Sequence, residues 1–157
     1  MARVMVVEDE RTVQVLMQDL LEMWGHDVQA ASSGDQAIAL LSAHHYDLIV
    51  LDIMLGGISG YDVLDEMSRL GMRERTRVVI VTGRATEWDY LLGWMRGADE
   101  YLPKPFDPVR LQKVLEEMLS SSPEDLTERR RAELEKSQML FNLESTFGEE
   151  DGPSPVG

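Results

Sequence analysis

Glu8-Asp9, Asp52, Thr82 and Lys104 are residue types suited to phosphate chemistry, and each follows a short run that reads as a buried strand. The runs are Val4-Met5-Val6-Val7, Leu48-Ile49-Val50-Leu51, Val78-Val79-Ile80-Val81 and Glu100-Tyr101-Leu102-Pro103. Polar groups at the carboxyl ends of neighbouring parallel strands share one crevice. A carboxylate that attacks phosphorus becomes an acyl phosphate, and Asp52, ending the central run, is the candidate acceptor. Its attack brings negative charge onto a dianion, so the site needs cations. Mg²⁺ keeps several waters and takes few protein oxygens. Asp9 and Asp52 are candidate direct ligands, Glu8 a ligand through water, and the main-chain carbonyl of Met54 a further one. The ion would also relieve repulsion among crowded carboxylates. Lys104 would meet a phosphoryl oxygen as a point charge, and Thr82 would hydrogen-bond another.

The elements that must position these residues alternate in period. After the strand at 3–8, Val13, Leu16, Met17, Leu20, Leu21 and Trp24 predict a helix near 11–24, stopped by Gly25. A second strand at 26–31 leads to a helix opened by Ser33-Gly34-Asp35. The third strand, at 47–51, is followed by a loop marked by Gly56-Gly57 and Gly60 and a helix through Val63, Leu64, Met67 and Leu70. Strand 77–82, helix 86–97, strand 99–103 and a helix from Pro108 complete the series. Such alternation predicts an α/β fold, a doubly wound (βα)5 parallel sheet of order 2-1-3-4-5 covered on both faces. The switch point then lies between strands one and three, which Asp9 and Asp52 close.

Composition narrows the function classes. The chain has 157 residues, no cysteine and a formal net charge of -14, which excludes disulfides and argues against direct nucleic-acid binding. No apolar run is long enough for a transmembrane helix. Met1-Ala2-Arg3 lead directly into a strand, so no signal peptide and no membrane association are expected, and a cytoplasmic location is.

The pieces Val6-Val7-Glu8-Asp9-Glu10, Leu51-Asp52-Ile53-Met54, Gly60-Tyr61, Val81-Thr82-Gly83, Gly97-Ala98-Asp99-Glu100-Tyr101 and Lys104-Pro105-Phe106 together resemble the receiver domain of two-component response regulators, across residues 3–120. The resemblance implies a flavodoxin-like sheet and Mg²⁺-dependent transfer of a phosphoryl group to Asp52 from a histidine kinase or phosphotransfer protein. It implies that Thr82 and Tyr101 form a switch pair and that the Lys104-Pro105 bond is cis. It also implies a signalling protein, not an enzyme, that assists only its own phosphorylation and dephosphorylation. Gly56 departs from the family's usual proline, and Met54 and Arg84 occupy positions that tune phosphoryl lifetime. Two alternatives stand beside this one. One is a Mg²⁺-dependent phosphohydrolase, against which Asp52 has no second carboxylate two positions on. The other is the receiver half of a longer transcription factor.

The helix at 86–97 should bury Leu91, Met95 and Ala98 and leave Tyr90 and Trp94 exposed, with Glu87 and Tyr101 nearby. Exposed aromatics are enriched at interfaces. These four residues are therefore the expected docking or homodimer surface, on the face of the fourth helix, fifth strand and fifth helix that receivers use for output. Boundaries are expected at 1–121 for the receiver and 122–147 for a helical tail, with a disordered acidic end at 148–157. Ser122, Pro123 and Asp125 should start the tail helix. Its first half is charged, and Met139 to Phe147 should pack, on the domain or on another chain. The heptad Leu126, Glu133, Leu140, Phe147 is broken by the acid, against a long coiled coil.

Overall fold

The computed structural model describes residues 1–151, with side chains through Thr146. Strands β1 (Arg3–Val7), β2 (Asp27–Ala31), β3 (Leu48–Leu51), β4 (Arg77–Thr82) and β5 (Glu100–Pro103) alternate with helices α1 (Arg11–Met23), α2 (Gly34–Ala43), α3 (Gly60–Arg69), α4 (Glu87–Met95) and α5 (Pro108–Ser120). All four pairings are parallel, in the order β2-β1-β3-β4-β5. The sheet is the doubly wound one that the alternation predicts.

Period two sorts the strand residues between two cores. Met5, Val7, Ile49, Leu51, Val78 and Ile80 pack toward α2, α3 and α4. Val4, Val6, Leu48, Val50, Val79 and Val81 pack toward α1 and α5. Local chemistry sets where helices begin. Ser33 accepts the Gln36 N–H at 3.1 Å, and Ser59 with Asp62 and Thr86 with Asp89 form capping boxes before α3 and α4. Asp107 caps α5, which has Pro108 in its first turn.

A sixth helix, α6 (Pro123–Asp151), follows α5 after Ser121-Ser122 and lies along α4. Ser122 Oγ accepts the Asp125 N–H at 3.1 Å, the start that the sequence predicts. The helix runs further than expected and takes in 148–151, part of the segment expected to be disordered. The rest of that segment, 152–157, and the Phe147 side chain lie outside what is described.

The helix crosses the open edge of the sheet at β5. Leu126 packs with the α1/α5 core and Leu134 against the opposite one. Of the apolar end expected to pack, Phe141 lies against Trp88 with ring centroids 5.4 Å apart, while Met139, Leu140 and Leu143 are exposed by 64%, 41% and 47%. The charged first half docks as well. Two smaller corrections concern helix faces. Gln14, Met17 and Leu21 form the buried stripe of α1, and Leu16 points outward. On α4, Leu91 and Trp94 turn inward and Met95 is exposed. Among the described residues, no helix is long and apolar enough to cross a membrane.

Candidate functional site

Parallel registry brings the strand-end residues together. Val7 pairs with Leu51, so Glu8-Asp9 and Asp52 emerge side by side. One oxygen each from Glu8, Asp9 and Asp52 lie within 4.8 Å of one another. Glu8 and Asp52 are buried, whereas Asp9 faces solvent. The Asp52 backbone continues the ladder, its N–H donating to the Val7 carbonyl at 3.1 Å. The Met54 N–H donates to Asp52 Oδ1 at 3.0 Å and the Gly56 N–H to Asp9 Oδ2 at 3.1 Å. The loop after β3 thereby holds two of the carboxylates in place.

Lys104 reaches in from the end of β5, with Nζ 2.7 Å from Glu8 Oε2 and 2.8 Å from Asp52 Oδ2. Its own N–H donates to the Thr82 carbonyl at 2.8 Å, which sets the loop after β5 beside the end of β4. The Lys104–Pro105 peptide is cis. Burial raises the pKa of Glu8 and the Asp52 charge adds to it, while Lys104 opposes both. Burial would lower the Lys104 ammonium, but hydrogen bonds and charge from Asp52 and Glu8 outweigh it and hold it above its usual value.

Three carboxylates facing one ammonium leave a local charge of 3 − 1 = 2 units negative, which suits a divalent cation. The Thr82 hydroxyl is fully buried and has no hydrogen-bond partner. A buried hydroxyl left unpaired is costly. A phosphoryl oxygen at the mouth of the strand ends would satisfy it. The donor set and the orphaned hydroxyl thus fit a Mg²⁺ ion and a phosphoryl group.

Three further contacts support the site from outside the strand ends. A Cβ on Gly60 would lie 2.4 Å from the Asp52 carbonyl oxygen and 2.8 Å from Ile53 Cα. Only glycine lets α3 start this close to the acceptor. Gln14 donates to the Glu8 carbonyl at 3.0 Å and to Ser32 Oγ at 3.0 Å, fixing the turn that carries Glu8. A polar residue in the apolar stripe of α1 is the available signal. Arg84, at the position tied to phosphoryl lifetime, pairs with Asp89 at 3.1 Å. Burial would raise Asp89, yet its bonds with Thr86 and the Arg84 charge win and lower it.

The expected exposed surface is also corrected. Trp94 and Tyr101 are only 6% and 4% exposed, and Tyr90 and Glu87 are half-buried. The Tyr101 ring lies 4.6 Å from that of Tyr90, and a Cβ on Gly93 would come within 2.7 Å of it. Burial raises the pKa of Tyr101 far above its ordinary value. Tyr101 is covered by α4 itself, through Tyr90 and Gly93, and Leu134 of α6 packs on the core that holds Trp94.

The family model of the response regulator receiver domain matches residues 4–116. Transcriptional regulatory protein CpxR of Klebsiella pneumoniae is 35% identical over 146 residues, 90% of this chain and 61% of its own length. CpxR of Escherichia coli is 38% identical over 122 residues, 78% of this chain and 51% of its own. The chain therefore spans between half and two thirds of the length of these relatives. A Francisella response regulator receiver domain superposes with a TM-score of 0.72 at 25% identity, covering 76% of this chain and 97% of that one. The response regulator TrrA of Thermotoga maritima, in complex with Mg(2+)-BeF, superposes with a TM-score of 0.67 at 29% identity, covering 75% and 99%.

Proposed function

Since the chain belongs to the response regulator receiver family, we propose that it takes a phosphoryl group onto Asp52, with Mg²⁺ held by Glu8, Asp9, Asp52 and the Met54 carbonyl. The observation that carries this reading is the Lys104 ammonium bridging Glu8 and Asp52 beside the unpaired, buried Thr82 hydroxyl. An Asp52 carboxylate oxygen attacks phosphorus in a phosphohistidine of a histidine kinase or phosphotransfer protein. The O–P bond forms as the P–N bond breaks, and the imidazole leaves as the neutral ring, its proton taken up from solvent. Lys104 stays paired with Glu8 and turns its remaining N–H groups to the incoming oxygens. The Thr82 hydroxyl donates a hydrogen bond to another oxygen. The bound cation supplies charge neutralisation for the oxygens that gather at Asp52. Most of the rate then comes from positioning and electrostatics.

Thr82 and Tyr101 are the proposed switch pair, supported by the loop between them. The Tyr101 hydroxyl bonds the Arg84 carbonyl two residues beyond Thr82. A hydroxyl drawn toward a phosphoryl group would pull that loop and loosen the bond. The chemistry is proposed as stoichiometric, because the position two past the acceptor is Met54, which offers no general acid for turnover. The acidic balance of the chain supports output through protein contact rather than nucleic acid.

Acetyl phosphate with Mg²⁺, followed by intact mass, tests this. One phosphoryl group per wild-type chain and none on Asp52→Asn is the expected result. Equal labelling of the variant, or sustained hydrolysis of phosphate monoesters, overturns it.

A further inference from the structure

Helix α6 docks by a stripe at residues 126, 130, 134, 137 and 141, in steps of three or four. Beside that stripe its first half forms a groove of about 400 Å³ with the end of α4 and the loop before β4. Four arginines line the groove: Arg73 from the loop, Arg96 from the end of α4, and Arg130 and Arg131 from α6. Among the described residues, no carboxylate lines it. Thr127 supplies a hydroxyl, and Trp94 and Leu134 an apolar wall. In a chain of net charge -14, so local an excess of guanidinium calls for a cause.

Structural duties account for only part of it. Arg73 and Arg130 both donate to the Gly97 carbonyl, just past α4, and both face Asp99, at 3.7 and 2.7 Å. Arg96 makes a bidentate pair with Asp65 at 2.9 and 2.7 Å, on the surface, where such pairs are weak. Arg131 is exposed and pairs with no carboxylate among the described residues. Two carboxylates thus answer four guanidiniums, leaving two positive charges over. Nη1 of Arg73 is buried without a partner. Burial lowers the pKa of Arg73; Asp99 opposes this, and the charge of Arg130 adds to it. An anion beside the two guanidiniums would relieve that repulsion.

We propose that this groove is a binding site for a small molecule carrying a diphosphate group. Guanidinium forks match phosphate oxygens bidentately. The volume is in the range of small-molecule sites, more than one phosphate fills, and the arginines stand on three elements. The carbonyl end of α4 would repel an anion, but the Gly97 carbonyl is already bonded to Arg73 and Arg130. The ligand ties α6 to α4 and to the loop before β4, so its binding holds α6 in place. The site shares no residue with the Asp52 crevice, so the inference does not rest on the phosphoryl chemistry.

Calorimetric titration of the full chain with pyrophosphate, ADP and orthophosphate, without divalent cations, tests the proposal. Pyrophosphate and ADP bind once per chain, and orthophosphate at least tenfold more weakly. Tighter binding of ADP than of pyrophosphate assigns the ligand to nucleotides, with the base on the Trp94–Leu134 wall; binding no tighter assigns it to the diphosphate alone. Arg96→Gln/Arg131→Gln, at two exposed positions, lowers affinity at least tenfold. Arg110→Gln/Lys113→Gln removes as much charge from exposed positions on α5 and leaves affinity unchanged. No binding of either diphosphate, orthophosphate binding as tightly, or equal effects of the two double variants overturns the proposal. Hydrogen exchange on the wild type gives a reading that needs no variant. Saturating pyrophosphate slows exchange of the α6 amides, and unchanged α6 exchange in the saturated chain overturns the proposal.

Discussion

The Tyr101 hydroxyl donates a 2.6 Å hydrogen bond to the main-chain carbonyl of Arg84. It ties β5 to the loop that leaves Thr82, so the ring that packs against α4 also reads the position of the site's loop. Tyr101→Phe keeps the ring against Tyr90 and under Gly93 and removes only this bond. The expected cost is about 1 kcal/mol, measured by urea unfolding. Asp52 labelling should persist while amide exchange in residues 83–86 speeds up. Unchanged exchange there would show that the bond does not restrain the loop.

Gly60→Ala should act on the acceptor through the backbone. The new Cβ would meet the Asp52 carbonyl at 2.4 Å, and neither backbone segment yields easily. A loss of about 2 kcal/mol with slower phosphoryl uptake is expected. A variant as stable and as quickly labelled as wild type would mean that the start of α3 moves freely.

Mg²⁺ should stabilise the domain through the Glu8, Asp9 and Asp52 oxygens. At a hundredfold excess over Kd the gain is about 2.7 kcal/mol, or roughly 5–10 °C in the thermal midpoint. Asp9→Asn should lose most of that shift without unfolding, because Asp9 is exposed. Equal shifts in both proteins would place the ion elsewhere.

Lys104→Met should make stability depend on pH in a defined direction. The folded pKa of Glu8 already lies above its ordinary value of 4.5, from burial first and then Asp52, with Lys104 opposing. Removing the ammonium raises it further. A group raised in the folded state adds stability that is full below its unfolded value and lost as pH rises through the folded one. The penalty of the substitution should therefore be small near pH 4.5 and grow above it, reaching about 2 kcal/mol near neutrality for this partly exposed pair. Denaturation series at several pH values measure it, and a penalty independent of pH contradicts the reading.

Much of the site is legible in the sequence. The acceptor, the two acidic partners, the threonine and the lysine each close an apolar run, and a strand's end is a local signal. What those residues lean on is only partly legible there. Gly60 stands out as a motif glycine, but its close approach to the Asp52 carbonyl does not, and Gln14 supports the Glu8 turn from within a helix stripe that reads as apolar. The exposed face of α4 is misplaced by its periodicity for a related reason. Taken alone, the helix offers Leu91 and Met95 as its buried pair, but Trp94 goes in because Leu134 and the rest of α6 close over it.

By itself, then, the sequence determined the α/β alternation, the strand order and the identity of the crevice. Periods of 2 and 3.6 and the residues that start and stop helices are read within a few positions of one another. Only the tertiary structure decided where α6 lies and what covers α4. That docking stripe contains arginine and serine, so it carries no apolar period. The charges that fix it, Asp99 with Arg130 and Glu100 with Arg129, stand 31 and 29 residues apart in the chain. A pair so distant leaves no local pattern, and it has meaning only once folding has made both ends neighbours.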